Sequence, residues 1–244
     1  MADRRCFGPR GLRGDRPGKW DLRYPPGKKH AYSNVGYTIA AAMAEKVTGF
    51  TWEDLVTREV FEPLELSEAG FDPPLSADDT LEQPRDHRAG LAGKVAVDDK
   101  ADNTPIIGPA ATVHMTLGNL CTFATEHLRG DRGAGQLLSA ETYNLLHTPV
   151  LDQNACGWVK RDSSAEIPYA TYWHNGSNTQ WYALAVFIPE KNMVVAVASN
   201  DGDFGQAEAA AWEIVKASVN PLNVKRYSAS PEPLQRSDHS QTSP

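Results

Sequence analysis

Tyr32 and Asn34 stand one residue apart in HAYSN, directly before a long alanine-rich stretch. In extended or turn backbone, residues two apart point the same way, so a phenol and an amide would face one cleft. A phenol near cationic groups can shuttle a proton, and an amide beside it can orient a substrate carbonyl or amide. The plainer alternative is that Asn34 caps the following helix and Tyr32 lies on the surface. A second polar group, WHNGSNTQW, places His174 at the end of an aromatic, β-branched run. Gly176 removes a side chain where another group can approach the backbone, and Ser177 and Asn178 continue as a polar turn. This segment reads either as a substrate-binding edge in which His174 supplies charge or a proton, or as a β-turn with a surface histidine. His30, His87, His114, His127, His147 and His239 show no H-x-H or H-E-x-x-H spacing and read as structural or solvated. No metal set, phosphate-binding glycine loop or G-x-S-x-G elbow is present.

The elements that must carry these residues follow from periodicity. Asn34 to Val47 is a predicted helix with Ile39, Met43 and Val47 on one face, stopped by Gly49. Thr51 and Asp54 predict a second helix with Leu55 and Val56, ending before Pro63. Residues 67–109 are rich in Asp, Pro and Gly and read as a long irregular excursion. Thr116 caps a third helix with Leu117, Leu120, Phe123, Ala124 and Leu128, ended by Gly130. Ser139 starts a fourth, with Leu145 and Leu146 facing inward. The period then changes to strand in CGWVKR, IPYATYWH, QWYALAVFI and MVVAVAS, and returns to helix over Gly205–Val219. Helices, antiparallel strands and a final helix make the chain α+β.

The net charge of −7 over 244 residues leaves no basic footprint, so neither nucleic acid nor an anionic membrane is an expected partner. Three distant cysteines suggest neither a zinc site nor a disulfide framework. No apolar run is long enough to span a bilayer, and the first residues lack a signal-peptide apolar core. As written, the chain is expected to be cytoplasmic.

Taken in order, these pieces resemble the serine β-lactamase and penicillin-binding-protein-like hydrolases, in the branch of class C β-lactamases, D,D-carboxypeptidases and esterases. PPGKKHAYSNVGYTIAAAMAEKVTGF is similar to that family's Tyr-x-Asn segment and its helix. WHNGSNTQWYALAVFIPEKNMVVAVASNDGD is similar to its third-motif strand and the hairpin after it. The resemblance implies a β-lactamase/transpeptidase-like fold: an antiparallel sheet with a C-terminal helix plus a helical subdomain. The related domain would occupy 31–219, mainly helical over 31–150, with sheet and C-terminal helix over 155–219. An irregular segment at 1–30 and a disordered tail at 220–244 would flank it. The resemblance makes Tyr32 the general base or proton shuttle and Asn34 a substrate-positioning amide. It aligns His174, Asn175 and Gly176 with Lys-Thr-Gly and offers the Ser177 backbone N–H as an oxyanion donor. Acyl transfer on an ester, a D-amino-acid peptide or a β-lactam would need no cofactor. His174 in place of lysine argues against the β-lactam, whose carboxylate suits a fixed cation. Members of the family often work outside the cytoplasm.

The family's nucleophile lies in Ser-x-x-Lys, ahead of Tyr-x-Asn. None of the ten lysines has a serine three residues before it, and no serine precedes Tyr32. Ser33 is expected to point away from its neighbours, and Ser177 to offer its backbone. The expectation is therefore an N-terminally truncated member, inactive or incomplete, lacking the family's first strands and nucleophile helix. The alternatives are a non-catalytic peptide- or glycan-binding module and a fragment that does not fold alone. A sheet without its first strands would expose an edge open to self-association.

Overall fold

A computed structural model describes residues 24–25, 27–71, 73, 84–90, 93–98 and 101–220. Most of the expected N-terminal loop, and the tail beyond Asn220, lie outside the described residues.

Helix α1 (Asn34–Thr48) starts where Ser33 Oγ accepts a hydrogen bond from Gly36 N at 3.1 Å. Ser33 is thus the N-cap, and Asn34 is freed for other contacts. Gly49, at φ 78°, closes α1 in the left-handed conformation. Helix α2 (Trp52–Val56) is capped by Thr51 on Asp54 N and continues into a π-helical turn, Thr57–Phe61.

The stretch expected to be irregular contains a hairpin, β1 (His87–Gly90) with β2 (Gly93–Ala96), and then a short helix α3 (Gly108–Ala111). Its sequence, HRAGLAGKVA, has little of the β-branched alternation that marks strands. Distant partners fix it instead. Gly202 N donates to His87 O (2.7 Å), Asn200 Nδ2 donates to Arg85 O (2.6 Å), and Lys94 pairs with Asp201.

Helix α4 (Leu117–Asp131) and helix α5 (Ala140–His147) begin at the expected caps, Thr116 and Ser139. Two details differ from expectation. Gly130 lies inside α4, and a Cβ there would meet the Tyr143 ring at 2.3 Å; the glycine admits a ring and does not end the helix. In α5, Tyr143 and His147 are buried and Leu145 is exposed, so the helix turns its aromatic face inward.

Four antiparallel strands follow: β3 (Val159–Arg161), β4 (Thr171–Ser177), β5 (Tyr182–Ile188) and β6 (Met193–Ser199), ordered β3-β4-β5-β6. Helix α6 (Phe204–Val219) is capped by Asp203. Alternation along β5 divides the core. Tyr182, Leu184, Val186 and Ile188 pack with Ala211, Trp212 and Val215 of α6. Ala185 and Phe187 pack with Ala124 and Leu128 of α4 and with Trp158 and Tyr172. The sheet therefore lies between α4 and α6, both resting on β5 and β6. Helix α1 packs on α2, α3 and the turn before α3.

Candidate active site

Because Ser33 takes the capping role, Tyr32 and Asn34 meet across it. The Tyr32 hydroxyl donates to Asn34 Oδ1 at 2.6 Å. Tyr32 is 73% exposed, so phenol and amide form a solvent-facing pair at the positive end of α1. A hydroxyl held by an amide oxygen is fixed in direction, as a proton-transfer group must be before it meets substrate.

On the sheet, β3 pairs with β4 only through Thr171, Tyr172 and Trp173. Among the described residues, His174 to Ser177 run on with β5 alone beside them, in register from His174↔Ala185 to Ser177↔Tyr182. His174 keeps an exposed surface, yet desolvation of its ring pulls its pKa below the usual histidine value, against a hydrogen bond with the Gly157 backbone. The Asn175 amide is engaged on the α6 side, donating to Glu208 Oε1 (3.0 Å) and to the Tyr182 hydroxyl (3.4 Å). Gly176 has open space where a Cβ would stand, consistent with close approach to the backbone. Ser177 Oγ accepts from Thr179 N (3.0 Å), which commits the hydroxyl to the turn. No hydrogen bond among the described residues joins Tyr32 or Asn34 to β4.

The turn after β4 is also where the hairpin segment docks. Asn178 Oδ1 accepts from the backbone N–H groups of Gln180 (3.1 Å) and Trp181 (2.9 Å), and Asn178 Nδ2 reaches Asp102 Oδ1 (3.2 Å). With its amide nitrogen inward, Gln180 donates to Asp86 Oδ2 (2.6 Å) and to Ala101 O (3.2 Å). Burial raises the Asp86 carboxyl above its ordinary range. Asp86, Asp102 and Gln180 were not legible as partners, because each bond spans a sequence gap with no local pattern.

A second polar cluster lies under the sheet. His127 Nδ1 is 3.0 Å from His147 Nε2, and His147 Nδ1 is 3.4 Å from Asp131 Oδ1. Burial, followed by the neighbouring His147, lowers His127 to about 4. Burial also lowers His147, against its bond to Asp131. Beside them, Glu126 Oε1 accepts from the Tyr143 hydroxyl (2.5 Å), Gln136 N (2.6 Å) and Leu137 N (2.9 Å). Burial would raise this carboxyl, but those donors outweigh it and pull it below its ordinary value. The cluster is enclosed by Phe123, Trp158, Tyr172 and Phe187 and serves packing. A cavity of about 430 Å³ between α4 and the Pro63–Glu65 turn is lined by neither Tyr32 nor His174.

The architecture is that of an α+β sandwich with a phenol–amide pair at a helix start and a half-open strand. The family model described as Beta-lactamase matches residues 12–219, and the chain belongs to that family, whose proteins are of serine hydrolase type. A "Putative D-alanyl-D-alanine carboxypeptidase" of Escherichia coli (strain K12) is 24% identical over 206 residues, spanning 73% of this chain and 46% of that protein. The chain therefore spans about half the length of the curated relatives it matches. Among solved structures, a D-stereospecific amidohydrolase from Streptomyces sp. is similar with TM-score 0.61 and 22% identity, over 78% of this chain and 56% of that one. An octameric penicillin-binding protein homologue from Pyrococcus abyssi gives TM-score 0.65 and 18% identity, over 83% and 45%. The D-amino acid amidase from Ochrobactrum anthropi SV3 gives TM-score 0.61 and 15% identity, over 81% and 60%. At such identities the solved structures establish the fold.

Proposed function

We propose that this chain is the proton-shuttle and substrate-edge portion of an acyl-transfer hydrolase acting on an ester, a D-amino-acid peptide or amide, or a β-lactam. The observation that carries the reading is the Tyr32–Asn34 hydrogen bond at the exposed start of α1. In this role Tyr32 takes the proton of an attacking serine hydroxyl and returns it to the leaving group. Asn34 orients the carbonyl under attack. The half-open stretch His174–Ser177 receives the substrate, with Gly176 leaving room and the Ser177 N–H stabilising the oxyanion. The likeness to a D-stereospecific amidohydrolase and to a D-amino acid amidase supports a D-configured amide as the substrate class.

These residues do not turn substrate over by themselves, because no Ser-x-x-Lys occurs in the sequence. The same absence favours a second reading, in which the cleft holds a peptide or glycan without hydrolysis. Intact-mass spectrometry after incubation with a fluorophosphonate, and separately with a penicillin, tests this. A folded protein that gains no mass from either probe fits the proposal. A stoichiometric adduct overturns it, and peptide mapping then locates a nucleophile of another kind.

A further inference from the structure

Glu126 and Arg129 stand three residues apart on α4, the spacing at which a carboxylate and a guanidinium pair across a helix surface. Here they do not pair. Glu126 is turned inward and 2% exposed, and its Oε1 takes all its hydrogen bonds, from the Tyr143 hydroxyl, Gln136 N and Leu137 N. Its Oε2 accepts none among the described residues. The exposed Arg129 guanidinium is near enough to help hold the carboxylate charged, yet it forms neither a hydrogen bond nor an ion pair among the described residues. Both residues line the cavity of about 430 Å³, along with Thr125, Cys121 and the Pro63–Glu65 turn. That volume falls within the range of small-molecule sites, about 300–1,000 Å³. Every lining residue lies between positions 63 and 136, so the cavity is built from described elements. Gln136 Nε2 donates to Pro63 O and ties the loop after α4 to the turn.

The chemistry of these groups selects a ligand. An unused carboxylate oxygen on a buried side chain favours a cationic donor. An unpaired guanidinium at the mouth favours a carboxylate, which it can hold through two parallel hydrogen bonds. The Thr125 hydroxyl has no hydrogen-bond partner among the described residues and can donate to the same carboxylate. Glu65, held in the turn at φ 55° and exposed, adds a second carboxylate, and Pro63 and Leu64 supply apolar wall. We propose that this cavity binds a basic α-amino acid, with its carboxylate on Arg129 and Thr125, its α-ammonium on Glu126 Oε2 and its side-chain ammonium at Glu65. The methylenes between the two ammonium groups lie along Pro63 and Leu64. Two carboxylates and one guanidinium on the protein thus meet two ammonium groups and one carboxylate on the ligand. The site shares no residue with the Tyr32–Asn34 pair or with His174–Ser177, and binding here stands whether or not that cleft turns substrate over.

The test is isothermal titration calorimetry on the full chain with lysine, as each enantiomer, and with leucine, 1,5-diaminopentane and hexanoate. Lysine is expected to bind one to one with a Kd of about 1 mM or below, leucine about threefold weaker, and the diamine and hexanoate at least about tenfold weaker. Arg129→Met, at an exposed position, should weaken lysine at least about tenfold while the urea midpoint stays in place. Glu65→Gln should bring lysine to the level of leucine and leave leucine unchanged. Cys121, a free thiol on the cavity wall, reports where the ligand sits. With Cys6 and Cys156 replaced by serine, alkylation of Cys121 by iodoacetamide should slow about tenfold at a lysine concentration about ten times Kd, because few sites are then empty. If neither enantiomer of lysine binds up to about 20 mM, the proposal is overturned. It is also overturned if leucine or the diamine binds as tightly as lysine, if Arg129→Met leaves the affinity unchanged, or if bound lysine does not slow alkylation of Cys121.

Discussion

Helix α1 and strand β5 are both rich in apolar residues, yet they occupy opposite environments. Along β5, Leu184, Val186, Phe187 and Ile188 have no solvent exposure, because α4 covers one face and α6 the other. Along α1, only Ala41 is buried, while Val35, Ile39, Met43 and Val47 repeat every four residues on a face left 51–85% exposed. The same burial term that stabilises the sheet is therefore unrealised along α1. What holds α1 in place is its capping, its contacts with α2 and α3, and the Glu45 carboxylate accepting from Trp52 N at 2.9 Å. The chemistry-bearing pair Tyr32–Asn34 sits on this lightly held element, and the half-open strand His174–Ser177 belongs to the tightly held one. The site proposed above therefore draws on one packed wall and one exposed wall.

Truncating a core side chain is the most severe way to break the contrast. Phe187→Ala empties a site where the ring stacks on Tyr172 at 4.7 Å and meets Trp158 edge-on at 4.9 Å. The expected loss is about 3–5 kcal/mol, read as a fall in the urea midpoint with an unchanged slope. A loss below about 1 kcal/mol would mean that the sheet is not the stabilising unit, and the contrast with α1 would disappear.

A smaller effect comes from pH, and it too belongs to the sheet side. His127 and His147 are held neutral by burial, with folded pKa values below the ordinary 6.5. Below that value the unfolded chain binds protons that the folded chain refuses, so stability falls as pH falls. The contribution is fully present above about 6.5 and is lost progressively down to about 4, the value to which His127 is pulled. Roughly 1–3 kcal/mol should disappear over that window. Urea midpoints at several pH values measure it directly, and His127→Phe should flatten the slope. An equal slope in that variant would place the acid sensitivity in other groups, with Glu126 and Asp131 the nearest carboxyls.

What could be read from the sequence was local. Ser139, Thr116 and Thr51 announce helix starts because a cap acts within three residues, and all three serve as caps. Strands β4 to β6 were legible from aromatic and β-branched runs. The order of these pieces carried the family, which the match over residues 12–219 bears out. Features made by distant partners were not legible. The β1–β2 hairpin has no strand signal of its own and is held by Asn200, Asp201 and Gly202. Gly130 looked like a helix stop because nothing nearby in sequence reveals the Tyr143 ring packed against it. His127 and His147 are twenty residues apart and share no spacing motif, yet they meet at 3.0 Å. At the site, HAYSN was legible as a phenol and an amide on one side, and the structure joins them. The engagement of Asn175 by Glu208 depends on α6 folding back over the sheet, which no spacing foretold.

The smallest expected effect is the most discriminating, because it uses a change that would be severe elsewhere. Val47 is 85% exposed and Met43 65%, so replacing either by serine removes apolar surface that folding does not bury. Neither substitution should change the stability obtained from the urea midpoint and slope by more than about 0.5 kcal/mol. Helix propensity falls slightly for Met43→Ser, and reduced exposure of apolar surface compensates in solubility. If instead Met43→Ser costs about 2 kcal/mol or more, the stripe is covered in solution, and α1 is not the loosely held wall. That outcome would move Tyr32 and Asn34 from the start of an exposed helix to the start of a packed one. The Tyr32 phenol would then be positioned by a packed interface, and its partner would have to be sought against the stripe from Val35 to Val47.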